Sequence, residues 1–529
     1  MPDASLLSFN VPGSENGQPR PPHLIFIMVD DQGYGDIGYH GSDIHTPALD
    51  RLAAEGVKLE NYYVQPICSP SRSQLMTGRV WFPLMSPWFW FVVIFVGSLI
   101  PASIPVNLIK PTKIHLCQLA SAFGTSIQHQ IVTFTIRCSH PNGNPHGQNI
   151  YILKDIASLI LQCSFFQSRV KKILQNHNSS TPLFLYLSLQ AAHTPLQAPD
   201  LFLHHYKTHS NRQRRHYAAM LSCLDDGVAQ MVKEMKASGL YQNSVLIYSS
   251  DNGGQPLSGG SNWPLRGGKG TYWEGGIRAV GFVHSPLLKR KGIVSKALIH
   301  VSDWYPTLLR LAGDLQSYHD LDGHNVWGSI NEGLPCPRKE ILFNIDPVSR
   351  KPGEPYDKAV VLNGFGIWDT AVRAALRVGD WKLLTGNVGD GDWIPPQALP
   401  AGRERWQKLE KQRNRLGKSV WLFNISADPY ERFDLAEIRP RVVKHLLLRL
   451  AEYNHTAVMA KNPPDDPMAD PELHGGVWSP WLGQEGWKED TRVEEGKKEK
   501  TVKFKHCKLC KLKALFKKVG SRLERKNIF

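Results

Sequence analysis

The chain carries several short, continuously apolar runs that end abruptly in carboxylates and glycines. His23 to Val29 is the first, and Asp30-Asp31, Gly33, Gly35 and Gly38 follow it. A run of this length, bounded in this way, predicts a parallel strand buried on both faces. Thr181 to Leu189 and Tyr241 to Ser250 have the same character, the latter ending in Asp251-Asn252-Gly253-Gly254. After Leu311 the chain becomes rich in Gly, Pro and Asn, which places a domain boundary near Glu332 to Pro337. Beyond it, Val372 to Leu384 and Ser419 to Asn424 read as strands. Pro440 to Tyr453 reads as an amphipathic helix with Val442, Val443, Leu446, Leu447 and Leu450 on one face. The pattern predicts an α/β domain over 23–335 and a smaller α+β domain over 336–475.

Two regions depart from this alternation. Residues 1–22 are rich in Gly, Pro, Ser and Asn and read as a disordered leader. They lack the basic n-region and continuous apolar h-region of a signal peptide. Val80 to Ile109 contains no charged residue, and Trp88 to Val96 is apolar on every face. Its length would satisfy the ~20 residues of a membrane span. Prolines 83, 87, 101 and 105 interrupt it, and a span inside this domain would tear the sheet apart.

A length of 529 residues fits two domains, and 42% hydrophobic, 10% aromatic and 21% charged residues describe a globular chain. The net charge of +15 changes its meaning once located. Between Lys497 and Lys526 thirteen Lys or Arg face two Glu, so most of the charge belongs to a polar, then basic tail over 476–529. That excludes a nucleic-acid-binding reading of the fold and leaves heparin-like polyanions as partners of the tail. Eight cysteines at irregular spacing neither prove nor exclude disulfides. Cys507-x-x-Cys510 with His506 offers too few ligands for a persuasive zinc site against an unpaired or palmitoylated pair.

Candidate chemistry concentrates around Cys68-Ser-Pro-Ser-Arg72 and Leu75-Met-Thr-Gly-Arg79. A cysteine just before Ser-Pro predicts the first residue of a helix. The helix N-terminus and Arg72 would then stabilise an anion beside Cys68. A cysteine protease would need a general-base His that the sequence neither shows nor excludes. Asp30-Asp31 and Asp251-Asn252, each just past a strand, stand where open α/β sheets bind ligands. A solvated turn is the plain alternative for one such pair. Two of them favour a hard divalent cation, calcium or magnesium rather than zinc. His193 follows the second strand-like run, and Lys269 lies in a Gly-rich loop. Alone, each would more often be structural or solvated.

Cys-x-Pro-Ser-Arg with Leu-x-Thr-Gly-Arg resembles the sulfatase signature. Asp251 to Glu274, His284 to Lys289, Asp303 to Pro306 and Trp421 to Tyr430 look like the arylsulfatase B, I and J group, and the tail around Cys507 is nearest the I type. The resemblance covers roughly residues 22–79 and 175–528. It implies an alkaline-phosphatase-like α/β fold with a central mixed, mainly parallel sheet, and hydrolysis of sulfate esters. It further implies that a dedicated formylglycine-generating enzyme oxidises Cys68 to formylglycine. The hydrated aldehyde offers one hydroxyl to attack sulfur and a second whose proton loss expels sulfate. By the same resemblance Arg72 orients the nucleophile, Asp30, Asp31, Asp251, Asn252 and the modified Cys68 hold Ca²⁺, and His193 and Lys269 bind the sulfate. It implies the secretory pathway, where the sequons at Asn178, Asn424 and Asn454 would be glycosylated.

The departure lies between Val80 and about Lys171. There the family carries Gly-Lys-Trp-His-Leu-Gly, whose Lys and His bind sulfate and assist the nucleophile. Lys113-Ile-His115-Leu echoes that motif without its glycines and reads as accidental. Non-homologous sequence such as translated intron, a splice variant and a functional insertion are the three readings, in that order. On the first, the chain lacks an acid/base pair and sequence needed to complete its sheet. The rival function is a catalytically silent sulfatase-fold protein that binds sulfated glycans. A phosphodiesterase would ordinarily carry Ser or Thr at position 68.

Overall fold

A computed structural model describes residues 20–80, 132–137, 149–154, 159–314, 316, 318, 320–346, 367–396, 418–457 and 466–474, with only the backbone described over 132–137, 149–154 and 159–167. The chain divides into two compact units, 1–462 and 463–529, and both large sheets lie in the first.

The first sheet is organised around β1 (His23–Val29), whose seven residues are all buried. Around it run β2 (Val57–Leu59), β4 (Val132–Arg137), β5 (Asn149–Lys154), β6 (Leu183–Leu189), β7 (Ser244–Ser250), β8 (Gly281–His284) and β9 (Ile293–Ser295), in the order β4-β5-β6-β1-β7-β8-β2-β9. β3 (Tyr62–Tyr63) pairs separately with β10 (Ile299–His300). β1 is parallel to both β6 and β7, and β4 and β8 supply the antiparallel pairs, so the sheet is mixed and its centre is parallel.

Side chains alternate across β1 as a strand requires. Ile25, Ile27 and Val29 enter a core with α1 (Pro47–Glu55), α3 (Leu159–Asn176) and α4 (Arg212–Ala237). Leu24, Phe26 and Met28 enter another with Leu75 of α2 (Cys68–Thr77) and Trp304 of α5 (Trp304–Leu311). Two-sided burial, at roughly 1.5–3 kcal/mol per large apolar side chain, explains the unbroken hydrophobic run.

The second sheet is antiparallel, β11 (Glu340–Asp346), β12 (Arg373–Val378), β13 (Trp381–Thr385) and β14 (Val420–Asn424) in that order. The run 372–384 resolves into a hairpin turning at Gly379. Val443, Leu446, Leu447 and Leu450 of α6 (Pro440–His455) pack on one face of this sheet. Ile341, Phe343, Ala375, Leu384 and Phe423 on the other meet Tyr63, Tyr272, Trp273 and Ile277.

One expectation is corrected. The departing segment does not leave the sheet short, because β5 adds parallel to β6 and β4 adds antiparallel to β5. Val132-Thr-Phe-Thr-Ile136 and Ile150-Tyr-Ile-Leu153 are runs of β-branched and aromatic residues that suit a strand whatever their origin. Lys113, His115, His506, Cys507 and Cys510, the leader to residue 19 and the apolar run after Val80 lie outside the described residues. Among the described residues no helix is long and apolar enough to cross a membrane.

Candidate active site

The register of the central strands builds the site. Val29 is level with Leu189 on one side and Ser250 on the other, so Asp30, Gln190 and Asp251 leave the sheet together at its C-terminal edge. Asp30 N–H donates to Ala191 O at 3.0 Å, and Asp251 N–H donates to Val29 O at 3.0 Å. Adjacent residues on a strand point to opposite faces. Asp31 escapes that rule by taking a left-handed conformation with φ 59°, at a cost of about 1–2 kcal/mol. Carboxylate oxygens of Asp30 and Asp31 thereby converge with a ring nitrogen of His193, and those of Asp30 and Asp251 with Cys68 Sγ, all within 4.8 Å in each group.

Cys68 opens α2 as expected, with Ile67 extended before it and Gly78 (φ 65°) closing the helix through its N–H to Gln74 O at 2.9 Å. One turn on, Arg72 donates from Nε to Asp251 Oδ2 at 2.8 Å and from Nη2 to Asp30 Oδ2 at 3.0 Å, and it also meets Ser188. Lys269 reaches in from the 262–276 loop, its Nζ 2.5 Å from Asp31 Oδ1. That loop packs closely because residue 253 is glycine, where a Cβ would stand 1.8 Å from Gly275 O. His193, on the more open side, has Nε2 3.9 Å from Asp31 Oδ2.

The electrostatics correct the expectation that an anion is stabilised at Cys68. Burial, then Asp30 and Asp251, push its thiol up to about 11, outweighing Lys269 and Arg72. Arg72 is spent on the two carboxylates rather than on sulfur. An unmodified Cys68 is therefore a protonated thiol near neutral pH, a poor nucleophile. Among the described residues no imidazole is hydrogen-bonded to it.

The carboxylates are the more strained partners. Burial and then Asp251 raise Asp30 well above the usual range, and burial raises Asp251 although Arg72 opposes it. Asp30 Oδ1 and Asn252 Oδ1 are buried and meet no hydrogen-bond donor among the described residues. Each such orphaned acceptor costs about 1–3 kcal/mol. Crowded carboxylates with unmet oxygens fit a hard divalent cation of the calcium type. Asn252 is poised for it, since its Nδ2 donates to Asp31 Oδ1 at 2.8 Å and leaves Oδ1 free of donors.

The three sequons lie apart from this cluster. Asn178 and Asn454 are exposed, while Asn424 is half-buried with Oδ1 accepting Ala427 N–H at 3.1 Å. Sequence reasoning missed Ser188, Asp36, Arg214 and Tyr217, which surround the site. Asp36 sits within the Gly-rich stretch after β1 and could have been suspected there. The others carry no local signal.

A family model described as Sulfatase matches residues 22–80 and 164–314. The chain is 47% identical over 509 residues to arylsulfatase J of Mus musculus, covering 88% of this chain and 81% of that protein. The chain belongs to the sulfatase family. Two further sulfatases share less identity. N-acetylgalactosamine-6-sulfatase of Homo sapiens is 27% identical over 63% of this chain and 70% of its own length. Arylsulfatase A of Homo sapiens is 25% identical over 61% and 70%. Among solved structures, Ps i-CgsB aligns with TM-score 0.54 and 23% identity over 83% of this chain and 93% of that one. The PsFucS1 sulfatase from Pseudoalteromonas sp. aligns with TM-score 0.53 and 20% identity over 83% and 92%. The fold is thus the alkaline-phosphatase-like α/β fold of sulfatases, and by family the chain is a sulfuric ester hydrolase.

Proposed function

We propose that this sulfatase acts through Cys68 after its oxidation to formylglycine, with calcium held by Asp30, Asp31, Asp251, Asn252 and the modified side chain. The observation that carries this reading is the convergence of Cys68 with Asp30 and Asp251 beside two orphaned buried oxygens. Bound calcium would supply positive charge against a sulfate oxygen, and formylglycine would supply a geminal diol in place of the thiol.

The chain's own residues do the rest. Arg72 ties Asp30 to Asp251 and so fixes the nucleophile's helix against the sheet edge. Burial works against the charge on Lys269, but Asp31 and Asp30 outweigh it and hold the ammonium charged, and it anchors the sulfate together with His193. Proton delivery to the leaving oxygen is the missing role. In the family it belongs with the Gly-Lys-Trp-His-Leu-Gly motif, which this sequence lacks between Val80 and Lys171. Turnover by this chain is therefore impaired, and that lack favours the second reading, a silent sulfatase fold that binds sulfated glycans.

Cys223, buried in α4, is disulfide-bonded, which supports an oxidising, secretory compartment together with the exposed sequons at Asn178 and Asn454. There the formylglycine-generating enzyme would be a partner and the basic tail would contact heparin-like polyanions. Aryl sulfate hydrolysis tests the reading. The unaltered chain is expected to be inactive, and replacing residues 80–171 with family-type sequence is expected to restore activity by about 10²-fold or more. Hydrolysis by the unaltered chain that His115→Ala abolishes would contradict it.

A further inference from the structure

The convergence of Asp30 and Asp31 depends on the left-handed backbone at residue 31, and among the described residues one side chain meets the carbonyl of that residue. Tyr217 Oη lies 2.9 Å from Asp31 O and 2.8 Å from Asp36 Oδ2, and it accepts Gly33 N–H at 3.2 Å. A phenol has one proton to give. Asp36 Oδ2 already accepts the N–H groups of Ser261 at 2.7 Å and Gly33 at 3.2 Å. The Tyr217 hydroxyl therefore sits between the Asp31 carbonyl and the Asp36 carboxylate and is shared by the two acceptors.

The anchor behind Tyr217 is rigid. Arg214, one turn earlier on α4, pairs with the other Asp36 oxygen, donates to Gly259 O at 3.0 Å and reaches Asp43 Oδ1 at 3.0 Å. Asn211 caps the helix by accepting Gln213 N–H and Arg214 N–H. Tyr217 is 1% exposed, and the helix behind it is buried along Ala218, Leu221 and Leu224. The Asp31 turn is thus fastened to a helix that is itself fastened to the core.

We infer that Tyr217 is a positioning residue for the cation site. It holds Asp31 in the left-handed conformation that brings two consecutive carboxylates to one centre, and Asp36 and Arg214 hold it in place. This rests on the calcium reading above. Without the hydroxyl, residue 31 relaxes toward an extended conformation that carries its carboxylate to the far face of the sheet.

Calcium chloride titration of the full chain by calorimetry, with thermal melts in calcium and in chelator, tests the inference. Tyr217→Phe keeps the ring and is expected to weaken calcium binding about tenfold, as loss of a ligand-orienting contact does. Its melting temperature in chelator should match that of Tyr206→Phe, a control that removes an equally buried hydroxyl accepting His45 N–H at 2.8 Å away from the site. Arg214→Lys, which keeps the charge and loses the fork, should weaken calcium binding in the same direction. Equal calcium affinity in Tyr217→Phe and wild type, or in Arg214→Lys and wild type should Tyr217→Phe not fold, overturns the inference while leaving the calcium reading intact. No calcium effect on wild type overturns both.

Discussion

Arg72 Nη2 stands 2.7 Å from Asp251 Oδ2, with Asp251 wholly buried and 179 residues away along the chain. The same nitrogen reaches Asp30, so one guanidinium bridges two carboxylates that repel each other and offsets part of their charge. Arg72→Ala leaves both uncompensated, and the expected loss is about 3–5 kcal/mol in urea denaturation with chelator present. Arg72→Ala with Asp251→Asn should cost less than the sum of the single changes, since the two share a contact. Strict additivity would mean that the pair does not interact as drawn.

A second buried charge cluster ties the two sheets together. Lys382 Nζ is 2.8 Å from both Glu274 Oε1 and Glu431 Oε1, and all three side chains are fully buried. Glu431 Oε2 also accepts Glu274 N–H at 2.7 Å, which secures the end of the loop that carries Lys269. Lys382→Met is expected to destabilise by about 3–5 kcal/mol. Adding Glu431→Gln should recover part of that loss. Burial, with repulsion from Glu274 against the pull of Lys382, raises this carboxyl to about 7, so it is the one readiest to be neutral. A double variant no more stable than Lys382→Met would contradict the arrangement.

Histidine burial sets a pH dependence with a definite sign. His300 is fully buried, and burial, then Arg338, push its imidazole down to about 3. In the unfolded chain it protonates near 6.5. Its contribution is therefore fully present above about pH 6.5 and is lost as pH falls toward about 3. The stability gap between wild type and His300→Gln should narrow on acidification through that window. A gap that stays constant would show that His300 titrates normally in the fold.

The sequence made the site's own residues readable because each follows a local rule. Asp30-Asp31 and Asp251-Asn252 end buried strands, and Cys68 begins a helix at Ser-Pro, so position and chemistry coincide over a few residues. The contacts that brace the site from a distance were not readable. Tyr217 meets Asp36 across 181 positions and Lys382 meets Glu274 across 108, and no periodicity links residues that far apart. Lys382 reads as an ordinary polar position on a strand until the second sheet closes over it. The thiol was misjudged for a similar reason, since the helix N-terminus is local to Cys68 while the carboxylates that outweigh it arrive from two distant strands. The edge strand β4 and its neighbour β5 lie outside the family-like sequence, so only the plain β-forming character of 132–136 and 150–153 pointed to them.

The chemical state of Cys68 decides whether this site carries a formylglycine nucleophile. Mass spectrometry of the tryptic peptide 59–72, from chain expressed through the secretory pathway, reads that state directly. The expected peptide has exchanged its thiol sulfur and two hydrogens for one oxygen, the signature of formylglycine. A peptide found only with its free thiol would contradict the proposed nucleophile.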